Sequence, residues 1–293
     1  MLLAGIDIGS NAVRLLFANV YETKGGPVAE KATLLRIPIR LGMDVFKDGR
    51  ISDQKADDLV KTMRAFKLLI DVYRPLGYMA AATSAMREAS NNQEVLDKVM
   101  EESGLKIQMI DGIEEANIIS SFTNVLVNEN FSKTLYVDVG GGSTEISLLD
   151  GKKFITSNSF KIGTIRLLAD AVEDHEWDAM RLWLNKFKDD FGRMNIIGSG
   201  GNINKITKMY GHAYNNIVNF DQLTFAYKQL KSMPLQARID KMGLRPDRAD
   251  VIVPAAQIFI KILKWTGLQS VSAPKIGLAD GLVLLQYNRM KNH

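Results

Sequence analysis

One segment occurs twice in this chain. Ala4-Gly5-Ile6-Asp7-Ile8-Gly9-Ser10-Asn11 has its counterpart in Leu135-Tyr136-Val137-Asp138-Val139-Gly140-Gly141-Gly142-Ser143-Thr144. Each is an apolar run, an aspartate, one apolar residue, glycine and small polar residues, followed by a second apolar run. The aspartates stand at 7 and 138, 131 residues apart. That interval is too long for a solenoid period. It suits two related domains, each opening on a strand, a glycine turn and a second strand. A chain of 293 residues has room for both cores, and the restart puts the boundary between 127 and 128.

Along the chain, strand-like and helix-like patterns alternate, which argues for an α/β fold. The first half predicts strands over 2–8, 13–20, 34–41, 78–82 and 106–110, with Pro38 marking an edge or bulge in the third. Ser52 caps a helix running to about Tyr73, whose Leu59, Met63, Phe66 and Ile70 share one face. Further helices are expected over 92–103, closed by Gly104, and from Glu114 to about Asn128. The second half predicts strands over 134–139, 145–149, 153–160 and 195–197. Helices are expected from about Thr164, from Glu176 and over 200–210, with a mostly helical final third ending in 278–290.

Composition removes several chemistries. There is no cysteine, so disulfides, thiolate zinc sites, iron–sulfur clusters and cysteine nucleophiles are excluded. Only His175, His212 and His293 could serve as imidazole ligands, too few for a multi-histidine metal centre. The formal charge of +4 is small for a nucleic-acid binder. The most apolar stretch, 251–263, is interrupted by Pro254, Gln257 and Lys261 and is too short to span a bilayer. No basic segment precedes residues 1–6, which read as a strand rather than a signal peptide. The expectation is a soluble, cytoplasmic protein with no membrane or nucleic-acid partner.

What remains is carboxylate, glycine and arginine chemistry. Glycine turns bring backbone amides close to a ligand and form anion-binding nests. Ser10, Asn11 and Arg14 at the first turn, and Gly140, Gly141, Gly142, Ser143 and Thr144 at the second, read as phosphate contacts. Asp7 and Asp138 cannot hold phosphate directly, because like charges repel. They can hold a divalent cation that phosphate also binds. Gly198-Ser199-Gly200-Gly201-Asn202 joins a strand to a helix and makes a third anion site through Gly200, Gly201 and Asn202. Neither a Walker loop nor a dinucleotide fingerprint is present. In Gly112-Ile113-Glu114-Glu115-Ala116 one carboxylate of the doublet can face a phosphate and act as a base toward water, the other reading being helix capping. Arg87 follows a strand and suits bidentate phosphate contact, with Arg166 a weaker candidate.

Taken together and in order, these segments resemble the Ppx/GppA phosphatase family of exopolyphosphatases and guanosine pentaphosphate phosphohydrolases. The segment Ala82-Thr83-Ser84-Ala85-Met86-Arg87-Glu88-Ala89 and the late stretch Arg248-Ala249-Asp250-Val251-Ile252 belong to the same resemblance. It implies two related actin-like ATPase (ribonuclease H-like) domains facing across a central cleft. A C-terminal helix, about 279–293, can pack back on the first. It implies Glu115 as general base, Arg87 as a phosphate contact, and Asp138 and Glu145 as positioners of water and of Mg2+ (or Mn2+), with Asp7 a further candidate ligand. The implied activity is hydrolysis of the terminal phosphoanhydride of inorganic polyphosphate by a homodimer. Alternatives are a 5′-phosphohydrolase acting on the guanosine pentaphosphate pppGpp, an ATP-dependent kinase of the same superfold, and a non-catalytic regulator binding polyphosphate or (p)ppGpp. Two departures stand out: Ala12 where the family often has Ser or Thr, and Asn202 where it often has Thr. With its end at His293 the sequence resembles the short form of the family, from which a weaker hold on long chains is expected.

Overall fold

The computed structural model describes residues 1–120, 131–212 and 215–291, the side chains of 119 and 120 excepted. The chain falls into two compact units, Met1–Asn124 with Gly277–His293, and Val125–Ile276. The boundary expected at 127/128, and the end of the helix expected over 114–128, lie outside the described residues.

In the first unit β1 (Leu2–Ile8), β2 (Val13–Thr23) and β3 (Gly26–Ile37) form an antiparallel meander. The other edge of β1 pairs in parallel with β4 (Tyr78–Ala82), which pairs with β5 (Gln108–Met109), for an order β3-β2-β1-β4-β5. In the second unit β6 (Lys133–Val139), β7 (Thr144–Asp150) and β8 (Lys153–Phe160) repeat the meander, and β9 (Met194–Ser199) repeats the parallel addition. There β10 (Ile217–Asn219) and β11 (Ser270–Ser272) complete the order β10-β11-β9-β6-β7-β8. The duplicated segment is therefore the start of a duplicated topology. Both units are α/β, and the second carries one extra edge strand.

Helices cover the sheets. The first unit has α1 (Leu41–Asp48), α2 (Asp53–Tyr73), α3 (Ser84–Glu88), α4 (Asn92–Ser103) and α5 (Gly112–Ser120). The second has α6 (Thr164–Leu168), α7 (Asp174–Asn185), α8 (Gly201–Tyr210), α9 (Phe220–Ser232), α10 (Leu235–Asp240), α11 (Pro246–Ala249) and α12 (Ile252–Thr266). The last helix, α13 (Leu278–Lys291), belongs to the first unit. Ile6, Ile8, Leu15 and Phe17 pack one sheet face against Leu59, Met63 and Phe66 of α2 and Val95 and Val99 of α4. On the other face Ala81 and Ile110 meet Ile118 of α5 and Leu278 and Leu282 of α13. In the second unit Leu135, Val137, Ile196 and Val271 pack on Ile203 and Ile206 of α8 and Ala255, Phe259 and Ile262 of α12. None of the helices among the described residues is long and apolar enough to cross a membrane.

The helix ends follow local chemistry. Ser52 accepts the Lys55 amide at the start of α2, and Gly104, at φ 68°, closes α4 in the left-handed region that glycine tolerates. Two sequence expectations are corrected. The strand expected over 34–41 is the end of a longer β3 that stops at Ile37, because Pro38 has no amide to donate to a ladder; Leu41 already begins α1. The strand expected over 106–110 shrinks to two residues, Gln108 and Met109, which pair only with Ala81 and Ala82 at the end of β4. In the largely helical final third, β10 and β11 are three residues each, too short to show a period, and β11 owes its place to pairing with β9.

Candidate functional site: two glycine turns and their carboxylates

The two turns share one construction. The amide of Gly9 donates to Ala12 O at 3.2 Å, and that of Gly140 donates to Ser143 O at 3.0 Å. In each unit the carbonyls of the turn are then taken from behind by amides at the start of the helix that follows the third strand. Ser10 O accepts from Gly42 N at 2.8 Å and Asn11 O from Arg40 N at 3.1 Å. Gly140 O accepts from Thr164 N at 3.0 Å, and Gly141 O from Ile165 N at 2.8 Å and Arg166 N at 3.1 Å. Gly142 O accepts from Arg166 Nε at 2.8 Å. A trans peptide points its N–H away from its C=O. Fixing these carbonyls therefore aims the amides of Asn11 and Ala12, and those of Gly141, Gly142 and Ser143, away from the supporting helix. Amides that point the same way can form a nest, and at Ala12 this direction is set by the backbone, which the missing hydroxyl does not affect.

Several side chains brace the turns. Arg166 is buried and holds the second turn from behind through that bond to Gly142. Thr144, fully buried, spends its hydroxyl on Ile162 O at 2.5 Å. Gly163 is where the support and the turn touch: a Cβ there would run into the Gly141 and Gly142 backbone.

In the first unit Asp7 and Arg14 are direct cross-strand partners and form an ion pair. Asp7 is thus engaged by an arginine. The Ser10 hydroxyl lies 3.0 Å from that of Ser84, both residues buried, which ties the first turn to α3. One turn along α3, Arg87 donates from Nη1 to Ile110 O at 2.7 Å across the end of β5, which anchors one side of the guanidinium. The glutamate doublet separates. Glu114 accepts from Gln108 Nε2 at 2.8 Å while its amide is capped by Asp111 Oδ1 at 2.7 Å. Glu115 turns inward and is 8% exposed.

In the second unit Asp138 and Glu145 face each other directly across β6 and β7, 9% and 2% exposed. Ser159, opposite Glu145 on β8, donates its hydroxyl to Glu145 Oε1 at 2.8 Å. The third turn joins them. Gly200, at φ 114°, lies where a Cβ would be 2.9 Å from Val139 O and 3.8 Å from Asp138 Oδ1. It leads into α8, and the Gly201 carbonyl accepts from Arg248 Nη1 at 2.7 Å. Asn202 sits half-buried in the first turn of α8. Among the described residues no group of three or more His, Cys, Asp or Glu gathers as a metal cage. Two buried carboxylates side by side nonetheless fit a magnesium-type ion, which is held by one or two carboxylates and completes its shell with water and phosphate oxygens.

Sequence reasoning missed Ser159, Arg36 and Arg40, and left Ser84 and Arg248, both inside quoted segments, without a role. Cross-strand pairing or chain reversal gives each of these its partner.

The sequence model of the Ppx/GppA phosphatase family matches residues 32–290. The chain belongs to that family. Among curated relatives, the bifunctional 3-dehydroquinate synthase/phosphatase of Fusobacterium nucleatum is 27% identical over 90% of this chain and 43% of its own length. Exopolyphosphatase 1 of Mycobacterium leprae is 24% identical over 97% of this chain and 89% of its own length. The chain thus spans less than half of the bifunctional relative and most of the exopolyphosphatase. Among solved structures, the Aquifex aeolicus member of the Ppx/GppA family aligns with a TM-score of 0.77 at 25% identity, over 100% of this chain and 99% of that one. The family and the exopolyphosphatase among its relatives support a phosphoanhydride hydrolase.

Proposed function

We propose that this Ppx/GppA family member is an exopolyphosphatase, hydrolysing the terminal phosphoanhydride of inorganic polyphosphate to orthophosphate. The observation that carries the reading is the directly opposed, buried pair Asp138 and Glu145, flanked by the Gly140–Gly142 and Gly200 turns. Two buried carboxylates beside turns built for anions make sense if cation and phosphate arrive together.

Asp138 and Glu145 would hold the divalent cation, with Ser159 orienting Glu145. Such an ion, magnesium or manganese, offsets charge on the phosphate oxygens. Asp7 would act through Arg14, setting that guanidinium beside the first turn. The amides of the turns and Arg87 would stabilise charge building on the transferred group. Glu115 would orient an attacking water and take its proton, leaving orthophosphate and a chain one unit shorter. A homodimer and a cytoplasmic location remain part of this proposal, the first open to light scattering.

The test is phosphate release from polyphosphate of graded lengths, from pppGpp and from ATP, without an added acceptor and with magnesium varied. Metal-dependent release from polyphosphate in preference to pppGpp is the expected result. Preference for pppGpp would replace the substrate. Binding without release would make the protein a sensor, and release only with an acceptor would make it a kinase.

A further inference from the structure

The second unit holds a cavity of about 390 Å3 at the end of its sheet away from the glycine turns. Met194 and Asn195, at the start of β9, line it, while Ser199 and the Gly200 turn lie at that strand's other end. Asn195 and Ser199 are separated by about 13 Å along an extended strand. The volume falls within the range of small-molecule sites, roughly 300–1,000 Å3.

The walls are apolar and partly aromatic. Phe131 and Phe191 line the cavity beside the buried Met194, surfaces on which a ring can pack. None of the lining residues carries a charge, so an ion would give up water there without a countercharge. The helix α12 also ends at the cavity, where Thr266, Gly267 and Leu268 line it. A helix C-terminus carries partial negative charge and offers carbonyl acceptors. Both features turn anions away, phosphate among them, and favour a neutral ligand with N–H donors.

Polar groups define the edge of that ligand. Asn195 Oδ1 accepts from Thr134 Oγ1 at 2.7 Å, which leaves Nδ2 to donate. Gln269 Nε2 donates to Gly267 O at 2.7 Å, which leaves Oε1 to accept. Ser270 adds a hydroxyl able to do either. A carboxamide, or the same edge on a heterocycle, presents one acceptor and one donor together and so matches the two amides.

We propose that this cavity binds a neutral planar ring with a carboxamide-type edge, as a ligand site separate from the phosphate cradles. The ring lies against the phenylalanines and Met194, with its carbonyl toward Asn195 Nδ2 and its N–H toward Gln269 Oε1. The site stands whether or not the protein hydrolyses polyphosphate.

The probe is benzamide, with benzoate as its charged counterpart and toluene as the ring without the edge. Binding to the full chain is read from the Met194 methyl resonance in protein labelled at its methionine methyls. Loss of one signal in Met194→Leu assigns that resonance. Benzamide should move it saturably, and tripolyphosphate should leave it in place. Benzoate should bind about tenfold more weakly or worse, since nothing balances its charge. Toluene should also bind more weakly than benzamide. Gln269→Leu, at an exposed position, should melt as the wild type does and weaken benzamide roughly three- to tenfold, the loss of one neutral hydrogen bond. Ser270→Phe, which fills the cavity, should abolish the shift. A Met194 signal unmoved up to the solubility limit of benzamide would overturn the site, as would undiminished binding to Ser270→Phe. Equal binding of benzoate or toluene, or unchanged affinity in Gln269→Leu, would overturn the ligand class. A tripolyphosphate shift as large as that of benzamide would overturn the separation from the phosphate cradles.

Discussion

Asp138 and Glu145 are direct cross-strand neighbours, both buried and both acidic. Opposed like charges cost a sheet roughly 0.2–1 kcal/mol at ordinary positions, and burial makes the cost larger. A divalent cation turns that repulsion into coordination. Magnesium or manganese should therefore raise the melting temperature of the wild type. Glu145→Gln keeps the shape and the Ser159 contact while removing one charge. It should melt higher than the wild type without metal, lose most of the metal-induced rise, and lose most of its turnover. A metal response unchanged in Glu145→Gln would remove the pair from the cation site.

Glu115 and Glu114 are adjacent in sequence and differ in what surrounds them. Glu114 is taken up by Gln108, while Glu115 is buried. Replacing Glu115 with glutamine should cut turnover by ~10²–10⁴, the usual contribution of a general base, with tripolyphosphate binding retained. Glu114→Gln should leave turnover within a few-fold. Equal effects of the two substitutions on steady-state phosphate release would sink the assignment.

Local chemistry was readable in advance, and chain pairing was not. The Ser52 cap, the Gly104 stop and the Asp-x-Gly turns are each set by residues a few positions apart, so the sequence pattern alone locates them. The repeat of Asp7 and Asp138 pointed to a duplication that the two sheet orders share in full up to the extra β10. Arg36 and Ser159 escape a local reading, and Ser84 is quoted there without a role, because the partners that give them meaning lie across a strand or 74 residues away, as for Ser84 and Ser10. The helix α1 was hidden for a different reason: Pro38 reads as an irregularity within a strand when it is the end of one.

Gly163 touches the Gly141 and Gly142 backbone so closely that any side chain must displace the turn. Displacement would break the bonds from Thr164, Ile165 and Arg166 that aim the turn's amides. Gly163→Ala should lower stability by about 1–3 kcal/mol, the range for overpacking a tight contact. It should also raise KM, because the amides lose their common direction. Chemical denaturation and steady-state kinetics on the same preparation check both, and a wild-type KM in a destabilised Gly163→Ala would detach the turn from substrate binding.

Asp280 at the start of α13 is buried against β3, where it accepts from Lys31 Nζ at 2.9 Å and from Gly277 N at 3.1 Å. Burial pushes its carboxyl above the ordinary 3.8, and the Lys31 ammonium only partly restores the charged form. The folded state therefore holds a proton at pH values where the unfolded chain has released it. Its contribution to stability is full below about pH 3.8 and is lost as pH rises through the folded value. Asp280→Asn removes that dependence while keeping an acceptor for Gly277, and Lys31, 37% exposed in its side chain, can turn to water. The difference in melting temperature, Asp280→Asn minus wild type, should grow more positive between pH 4 and pH 7. A difference that stays constant over that range would mean that Asp280 titrates alike in the folded and unfolded chain.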